Sequence, residues 1–225
     1  MKRITVLLAE DHTLVREGIR MVLGLETDLD VIGEAPDGRQ AIELAVALDP
    51  DVILMDIAMP GLNGLETTRQ LLNARPGARI IILTAHCDDA HLLRATESGA
   101  MGCMLKQDSV SDLCHAIREV SHGRTFYSKA ISGRFMHINP GTREQPAKRP
   151  IMPLQLSSRE MEVLQLVAEG KANKQTAAEL CISIKTVEKH RGNLMRKLNI
   201  HDTAGLTRHA IATGIIESSV QKTIL

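Results

Sequence analysis

Residues 52–56 read Val52-Ile53-Leu54-Met55-Asp56, four apolar side chains and then an acid. A run this short, with nothing polar inside it, suits a strand buried on both faces, as in a parallel sheet. Four similar runs flank it: Ile4–Ala9, Val31–Ala35, Ile80–Leu83 and Gly102–Leu105. Between the runs lie segments with helical spacing, Leu14–Leu25, Ala41–Leu48, Leu65–Ala74, Leu92–Ser98 and Leu113–Val120. Strict strand–helix alternation predicts an α/β doubly wound five-stranded parallel sheet with helices on both faces and right-handed crossovers. Ser109 and Asp112 have the spacing of a capping box at the start of the fifth helix.

Ligands of such a sheet sit beyond the carboxyl ends of its strands. The residues there are Glu10-Asp11 after the first run, Asp56 after the third, Thr84 after the fourth and Lys106 after the fifth. Three converging carboxylates repel one another and need a counter-charge. Mg²⁺ is the natural one, because it prefers carboxylate and carbonyl oxygens. Carboxylates that hold Mg²⁺ beside a lysine and a hydroxyl fit phosphoryl transfer, where positioning and charge neutralisation supply most of the catalysis.

The pattern changes after about Gly123. Residues 136–153 carry Asn139-Pro140-Gly141, Pro146, Pro150 and Pro153 among basic residues, which is linker composition. The remainder reads as helices. Ser157 and Glu160 form a capping-box pair ahead of Met161, Leu164, Val167 and Ala168, and Gly170 ends that helix. Asn173 is expected to cap the next helix, which runs to about Leu180. Ser183 should cap a third, with Val187, Leu194 and Leu198 on one face. A last helix is expected over about Thr203–Thr213. The predicted division is therefore residues 1–123, a connecting segment 124–153, and an all-α domain over 154–225.

Composition supports two different halves. The chain has 225 residues and a formal net charge of zero, but residues 1–147 carry 15 Lys+Arg against 20 Asp+Glu, while residues 148–225 carry 12 against 7. An acidic half joined to a basic half points to nucleic acid as a partner of the basic one. Trp is absent, and Phe126, Tyr127 and Phe135 are the only other aromatics. Base stacking on aromatic platforms, usual in single-strand binders, is nearly unavailable, so duplex DNA read by a helix is expected. Cys87, Cys103, Cys114 and Cys181 show no metal-ligand spacing and read as free thiols in a reducing compartment. No apolar stretch reaches the ~20 residues of a membrane span, so a cytoplasmic location is expected.

Two sets of residues carry a family resemblance. Glu10-Asp11, Asp56 with Met59-Pro60-Gly61 and Gly64, Thr84-Ala85, and Lys106 after Ser98-Gly99-Ala100 resemble the CheY-like receiver, over roughly residues 3–121. The resemblance implies that Asp56 accepts a phosphoryl group from a sensor histidine kinase. It implies a metal held by Asp11, Asp56 and the backbone carbonyl of Ala58, with Glu10 helping through water. Lys106 would pair with phosphoryl oxygens, and the Thr84 hydroxyl would report their arrival. Receivers usually carry an aromatic or His where this chain has Cys103, so the usual coupling of that side chain to the threonine is altered.

The second set is Leu156-Ser157, Arg159-Glu160, Glu162-Val163-Leu164, Gly170, Asn173-Lys174, Ala177, Leu180, Ser183, Lys185-Thr186-Val187-Glu188, His190 and Lys197-Leu198. It resembles the LuxR-type helix-turn-helix of NarL/FixJ response regulators, over roughly 154–215. On the helix from about Ile184, Lys185, Glu188, Lys189 and Gly192 share the face opposite the apolar one, where a major groove would be read. Thr186, Arg191, Arg196 and Lys197 would reach phosphates, as would Asn173 and Lys174 from a helix N-terminus.

Together these resemblances imply a phosphorylation-controlled transcription regulator, not an enzyme. Its partners would be a histidine kinase, double-stranded promoter DNA, RNA polymerase and, when active, a second copy in a homodimer. An aspartyl-phosphate phosphatase is the rival enzyme, but those enzymes carry Asp-x-Asp and here the second position is Ala58. A constitutive DNA binder with a vestigial receiver is the other rival, and the full set of strand-end residues argues against it. Phe126, Tyr127 and Phe135 are expected to form a contact between domains or protomers, or else to close the lower edge of the receiver.

Overall fold

The computed structural model describes residues 2–85, 94–132 and 156–216. Cys87, His86, Phe135 and the expected linker 136–153 lie outside the described residues. The chain divides into two compact units, Met1–Glu144 and Gln145–Leu225.

In the first unit the five expected runs form strands β1 (Ile4–Ala9), β2 (Leu29–Ala35), β3 (Val52–Asp56), β4 (Ile80–Thr84) and β5 (Gly102–Leu105). A sixth strand, β6 (Phe126–Tyr127), was not expected; at two residues it is too short to show a period. Every pairing is parallel and the order is β2-β1-β3-β4-β5-β6. Helices α1 (Thr13–Leu23), α2 (Gly38–Leu48), α3 (Gly64–Ala74) and α4 (Val110–Ser121) join the strands, with a further helical stretch at residues 94–97.

Strand side chains alternate between two cores. Leu7, Ile53, Met55, Ile82 and Leu105 pack with Ala41, Ala45 and Leu71 of α2 and α3. Val6, Leu8, Leu54, Ile81 and Met104 pack with Leu23 of α1 and with Leu113, Ile117 and Val120 of α4. Both faces are thus covered, which is why the strands read as continuous apolar runs.

The loops at the carboxyl ends are held by caps. Asn63 accepts the Glu66 N–H to start α3, and Asp37 accepts the Gln40 N–H to start α2. Ser109 accepts the Asp112 N–H to start α4. In the loop after β3, Gly61 has φ +73°, a left-handed conformation that suits glycine.

The second unit consists of α5 (Ser158–Ala168), α6 (Asn173–Glu179), α7 (Ile184–Leu198) and α8 (Thr203–Ala212). Val163, Leu164, Val167, Ala177, Leu180, Val187, Leu194, Leu206 and Ala210 form its core. The Ser157–Glu160 capping box is complete. Gly170, at φ +86°, follows the end of α5. Ser183 caps α7 through the Thr186 N–H. One cap differs from expectation. Ala172, not Asn173, precedes α6, and the Ala172 N–H donates to Gln175 Oε1. Asn173 is the first residue inside the helix, and its side chain serves another bond.

Candidate functional site

The chain leaves β1 toward β2 on one side and enters β3 on the other, so the crevice of the sheet opens between β1 and β3. Ala9 stands opposite Met55, which brings Glu10 and Asp56 to the mouth of that crevice. Across β4, Asp56 is level with Leu83, and Thr84 with Leu105. The Lys106 N–H then donates to the Thr84 carbonyl at 2.8 Å. Pairing register alone therefore gathers Glu10, Asp56, Thr84 and Lys106 from four strands.

Glu10, Asp56 and Thr84 are buried. Lys106 Nζ lies 2.8 Å from Glu10 Oε2 and 2.9 Å from Asp56 Oδ2, bridging the two carboxylates. Burial pushes the Asp56 carboxyl up to about 6; Lys106 opposes this, while Glu10 and Asp11 add to it. Burial works against the Lys106 charge, but Asp56 and Glu10 outweigh it and hold the ammonium above the usual lysine range.

The site also has surplus acceptor capacity. Glu10, Asp11, His12 and Asp56 each offer a ligand atom, all within 4.8 Å of one another. Glu10 Oε2, Asp11 Oδ1 and Asp56 Oδ2 are buried and accept no hydrogen bond of good geometry, although Lys106 touches two of them and His12 the third. Buried carboxylate oxygens in this state suit a hard divalent cation.

His12 was not picked out from sequence. Its Nδ1 lies 3.1 Å from Glu10 Oε1 and 2.7 Å from Asp11 Oδ1. Its adjacency to Asp11 was the available signal. Arg16, also missed, donates from Nη1 to the Glu10 carbonyl at 2.7 Å and so ties the first turn of α1 to the acidic loop. Ala58 is half-buried in the loop after Asp56. In that loop Gly64 is required by space: a Cβ there would fall 1.9 Å from the Asp56 carbonyl oxygen.

The second unit presents a different surface. On α7, Lys185, Glu188, Lys189, Gly192 and Arg196 are all exposed and follow one stripe, opposite buried Val187 and Leu194. Lys174 is exposed at the start of α6. Cys181, at φ +53°, makes the turn between α6 and α7. Thr186 sits in the first turn of α7, its hydroxyl 2.8 Å from that of Ser183.

Three of the predicted phosphate contacts, Asn173, Arg191 and Lys197, are engaged between helices of the unit. Arg191 donates to Asn173 Oδ1 at 3.1 Å and to Thr203 Oγ1 at 2.6 Å, linking α7 to the starts of α6 and α8. Lys197 Nζ lies 2.6 Å from Glu160 Oε2, linking α7 to α5. These are framework contacts that helical periodicity does not reveal.

Residues 6–118 match the response regulator receiver domain, and residues 154–210 match the bacterial regulatory proteins of the luxR family. The transcriptional regulatory protein LiaR of Bacillus subtilis (strain 168) is 39% identical over 200 residues, covering 88% of this chain and 92% of its own. The chain is a NarL/FixJ-type response regulator.

Solved structures agree with this. ChrA, the response regulator of a heme-sensing two-component system, is 33% identical with a TM-score of 0.53, covering 96% of this chain and 100% of its own. RcsB, in a structure of two dimers bound to two parallel DNAs, is 27% identical with a TM-score of 0.57, covering 94% of this chain and 99% of its own. This response regulator is accordingly a transcriptional regulator of a two-component system.

Cys103 and the aromatics Phe126 and Tyr127 of the regulator all lie within the first unit. Cys103 is buried in the core shared with Ile82 and Leu105, and Tyr127 of β6 is its register partner. Burial pushes the Cys103 thiol up to about 12, so it is held as the neutral thiol. Phe126 and Tyr127 are half-buried and pack against the two cores of the first unit, Phe126 edge-on to His115 at 5.6 Å. These two aromatics extend the sheet edge rather than projecting from it. Among the described residues no helix is long and apolar enough to cross a membrane.

Proposed function

We propose that this response regulator accepts a phosphoryl group on Asp56 from a sensor histidine kinase and reads promoter DNA with α7. The observation that carries the first half is the bridge from Lys106 to Asp56 and Glu10 in a crevice of buried, under-bonded carboxylate oxygens. A carboxylate oxygen of Asp56 attacks phosphorus, the P–N bond to the kinase histidine breaks, and the imidazole leaves. Lys106 neutralises charge on the phosphoryl oxygens, and Thr84, whose carbonyl accepts the Lys106 N–H, receives one of them through its hydroxyl. Glu10, Asp11, Asp56 and the carbonyl of Ala58 would hold Mg²⁺, which supplies the positive charge a phosphoryl dianion needs beside three acids. The receiver assists only its own phosphorylation and dephosphorylation and is not otherwise an enzyme.

The domain division proposed is 1–123 for the receiver, 124–153 for the connection and 154–225 for DNA binding. In the latter, Lys185, Glu188, Lys189 and Gly192 face base edges, while Lys174, Thr186 and Arg196 reach phosphates. Asn173 and Arg191 orient one another beside the DNA, and Lys197 acts chiefly as a strut. Phosphorylation shifts the receiver toward a form that pairs as a homodimer on promoter DNA and engages RNA polymerase in the cytoplasm.

Intact-mass analysis after acetyl phosphate treatment tests this reading. Wild type should gain one phosphoryl group with Mg²⁺ and none with EDTA, and Asp56→Asn should gain none. An unchanged adduct on Asp56→Asn would remove the assignment.

A further inference from the structure

His12 stands where a capping side chain is expected. Helices α2, α3 and α4 open with Asp37, Asn63 and Ser109, each of which accepts a backbone N–H of its first turn. Helix α1 opens with His12, whose side chain makes no cap bond. The ring turns instead to the acids before it. Nδ1 lies 3.1 Å from Glu10 Oε1 and 2.7 Å from Asp11 Oδ1. The His12 backbone N–H also reaches Glu10 Oε1, at 3.2 Å, and fixes the loop around that oxygen. Lys106 takes the other Glu10 oxygen, Oε2.

The contact with Asp11 is close but is not a hydrogen bond. Asp11 Oδ1 is buried and accepts none of good geometry, although Nδ1 is 2.7 Å away. Two donor atoms held this close with no hydrogen directed between them repel, unless a cation lies against both. Around an ion with bonds of ~2.1 Å, neighbouring donors are about 3.0 Å apart and opposite ones about 4.2 Å. Glu10, Asp11, His12 and Asp56 each bring a ligand atom to within 4.8 Å of the others, so the set needs little contraction to close.

We infer that His12 is a metal ligand through Nδ1 and shifts this site from Mg²⁺ toward divalent ions of the first transition row. Mg²⁺ prefers oxygen and gains little from an imidazole, while Co²⁺, Ni²⁺ and Zn²⁺ bind nitrogen well. A nitrogen among the oxygens therefore widens the gap between the two classes of ion. The ring can act as a ligand and remain satisfied: its side chain is 42% exposed, so Nε2 can keep its hydrogen toward water. A capping bond is given up at this position, and a nitrogen donor beside three acids is gained. This inference rests on the reading of Glu10, Asp11 and Asp56 as a divalent-cation site, and names a further side chain of that site and the ions it favours.

Calorimetric titration of the full chain with Mg²⁺ and with Co²⁺ tests it, on wild type, His12→Ser and Asp11→Asn. Serine is a strong cap and removes the ring, so His12→Ser should fold at least as well as wild type. Wild type should bind Co²⁺ more tightly than Mg²⁺. His12→Ser should lose about tenfold or more in Co²⁺ affinity, the scale on which even indirect partners of a metal act, and keep its Mg²⁺ affinity. Asp11→Asn should weaken both ions. Proton NMR gives the direct sign: Co²⁺-loaded wild type should show a strongly shifted, exchangeable ring N–H resonance that His12→Ser lacks. A His12→Ser variant that binds Co²⁺ like wild type, loses both ions equally or keeps that resonance overturns the assignment of His12 and leaves the acidic site standing. Asp11→Asn that binds both ions like wild type, or a wild type that binds neither, removes the cation site itself and His12 with it.

Discussion

Lys197 and Glu160 are joined across the second unit, Nζ to Oε2 at 2.6 Å, with the Glu160 side chain almost wholly buried. Glu160 also accepts the Ser157 N–H as half of its capping box. One acid therefore fixes the start of α5 and anchors the far end of α7. Removing the lysine would leave a buried carboxylate with less compensation, which costs more than the pair itself contributes.

Lys197→Ala should lower the stability of the unit by about 1–2 kcal/mol, since Lys197 is partly exposed and solvent offsets part of the loss. Lys189→Ala should leave thermal stability unchanged and weaken operator binding by ~1–3 kcal/mol. Lys171→Ala, at the turn before α6, should change neither. Thermal melts and a DNA titration of the three variants separate strut from reader; equal affinity losses for Lys189 and Lys171 would mean a diffuse basic surface.

Asp56→Asn should stabilise the receiver in the absence of divalent cations, by about 1–3 kcal/mol. The charge on Asp56 is disfavoured by burial and by Glu10 and Asp11, against the help of Lys106. An amide removes that repulsion. Adding Mg²⁺ should narrow the gap by stabilising wild type more than the variant. Chemical denaturation with and without Mg²⁺ measures both effects.

Gly64→Ala should destabilise the receiver by about 2–4 kcal/mol and slow phosphorylation. The added methyl meets the Asp56 backbone, at 1.9 Å from the oxygen and 2.8 Å from the carbon, and backbone cannot rotate away as a side chain can. A variant as stable and as quickly phosphorylated as wild type would mean that the loop after β3 yields more easily than its packing indicates.

The pH dependence of stability should carry the mark of Asp51. The Thr5 backbone N–H donates to Asp51 Oδ2 at 2.9 Å and the Thr5 hydroxyl does so at 2.8 Å, which holds the carboxyl below the usual aspartate value against a smaller effect of burial. A depressed acid contributes stability above its unfolded pKa of about 3.9 and loses it as pH falls through the folded value. Asp51→Asn should thus be less stable near neutrality and show a flatter decline in acid. Parallel acid limbs for the two proteins would remove Asp51 from the account.

Cys103 should resist alkylation in the native protein, while exposed Cys181 reacts. The buried neutral thiol is neither accessible nor ionised near neutral pH. Peptide mapping after a timed iodoacetamide pulse reads each site; rapid labelling of Cys103 would show that the β5 edge opens.

Much of this regulator is local information. Runs such as Val52–Met55 announce buried strands because a strand covered on both faces needs nothing polar, and Ser157, Ser183 and Gly170 mark helix ends because capping chemistry lies within a few residues. The acidic crevice was legible too, since in a parallel sheet the residue that ends each strand falls at the same edge. What the sequence left open were matters of distance through space. Strand β6 exists because β5 offers an open edge to Phe126 and Tyr127, and two residues have no period to read. Lys197 and Arg191 look from helical spacing like free cations for phosphates, and only the packing of α7 against α5, α6 and α8 assigns them Glu160, Asn173 and Thr203. Helical spacing over Leu14–Leu25 does not say which side is covered; the placed helix turns Leu23 inward and leaves Leu14 and Met21 exposed. A spacing of three or four states which residues share a face; which face meets protein and which meets water is decided only when the elements pack.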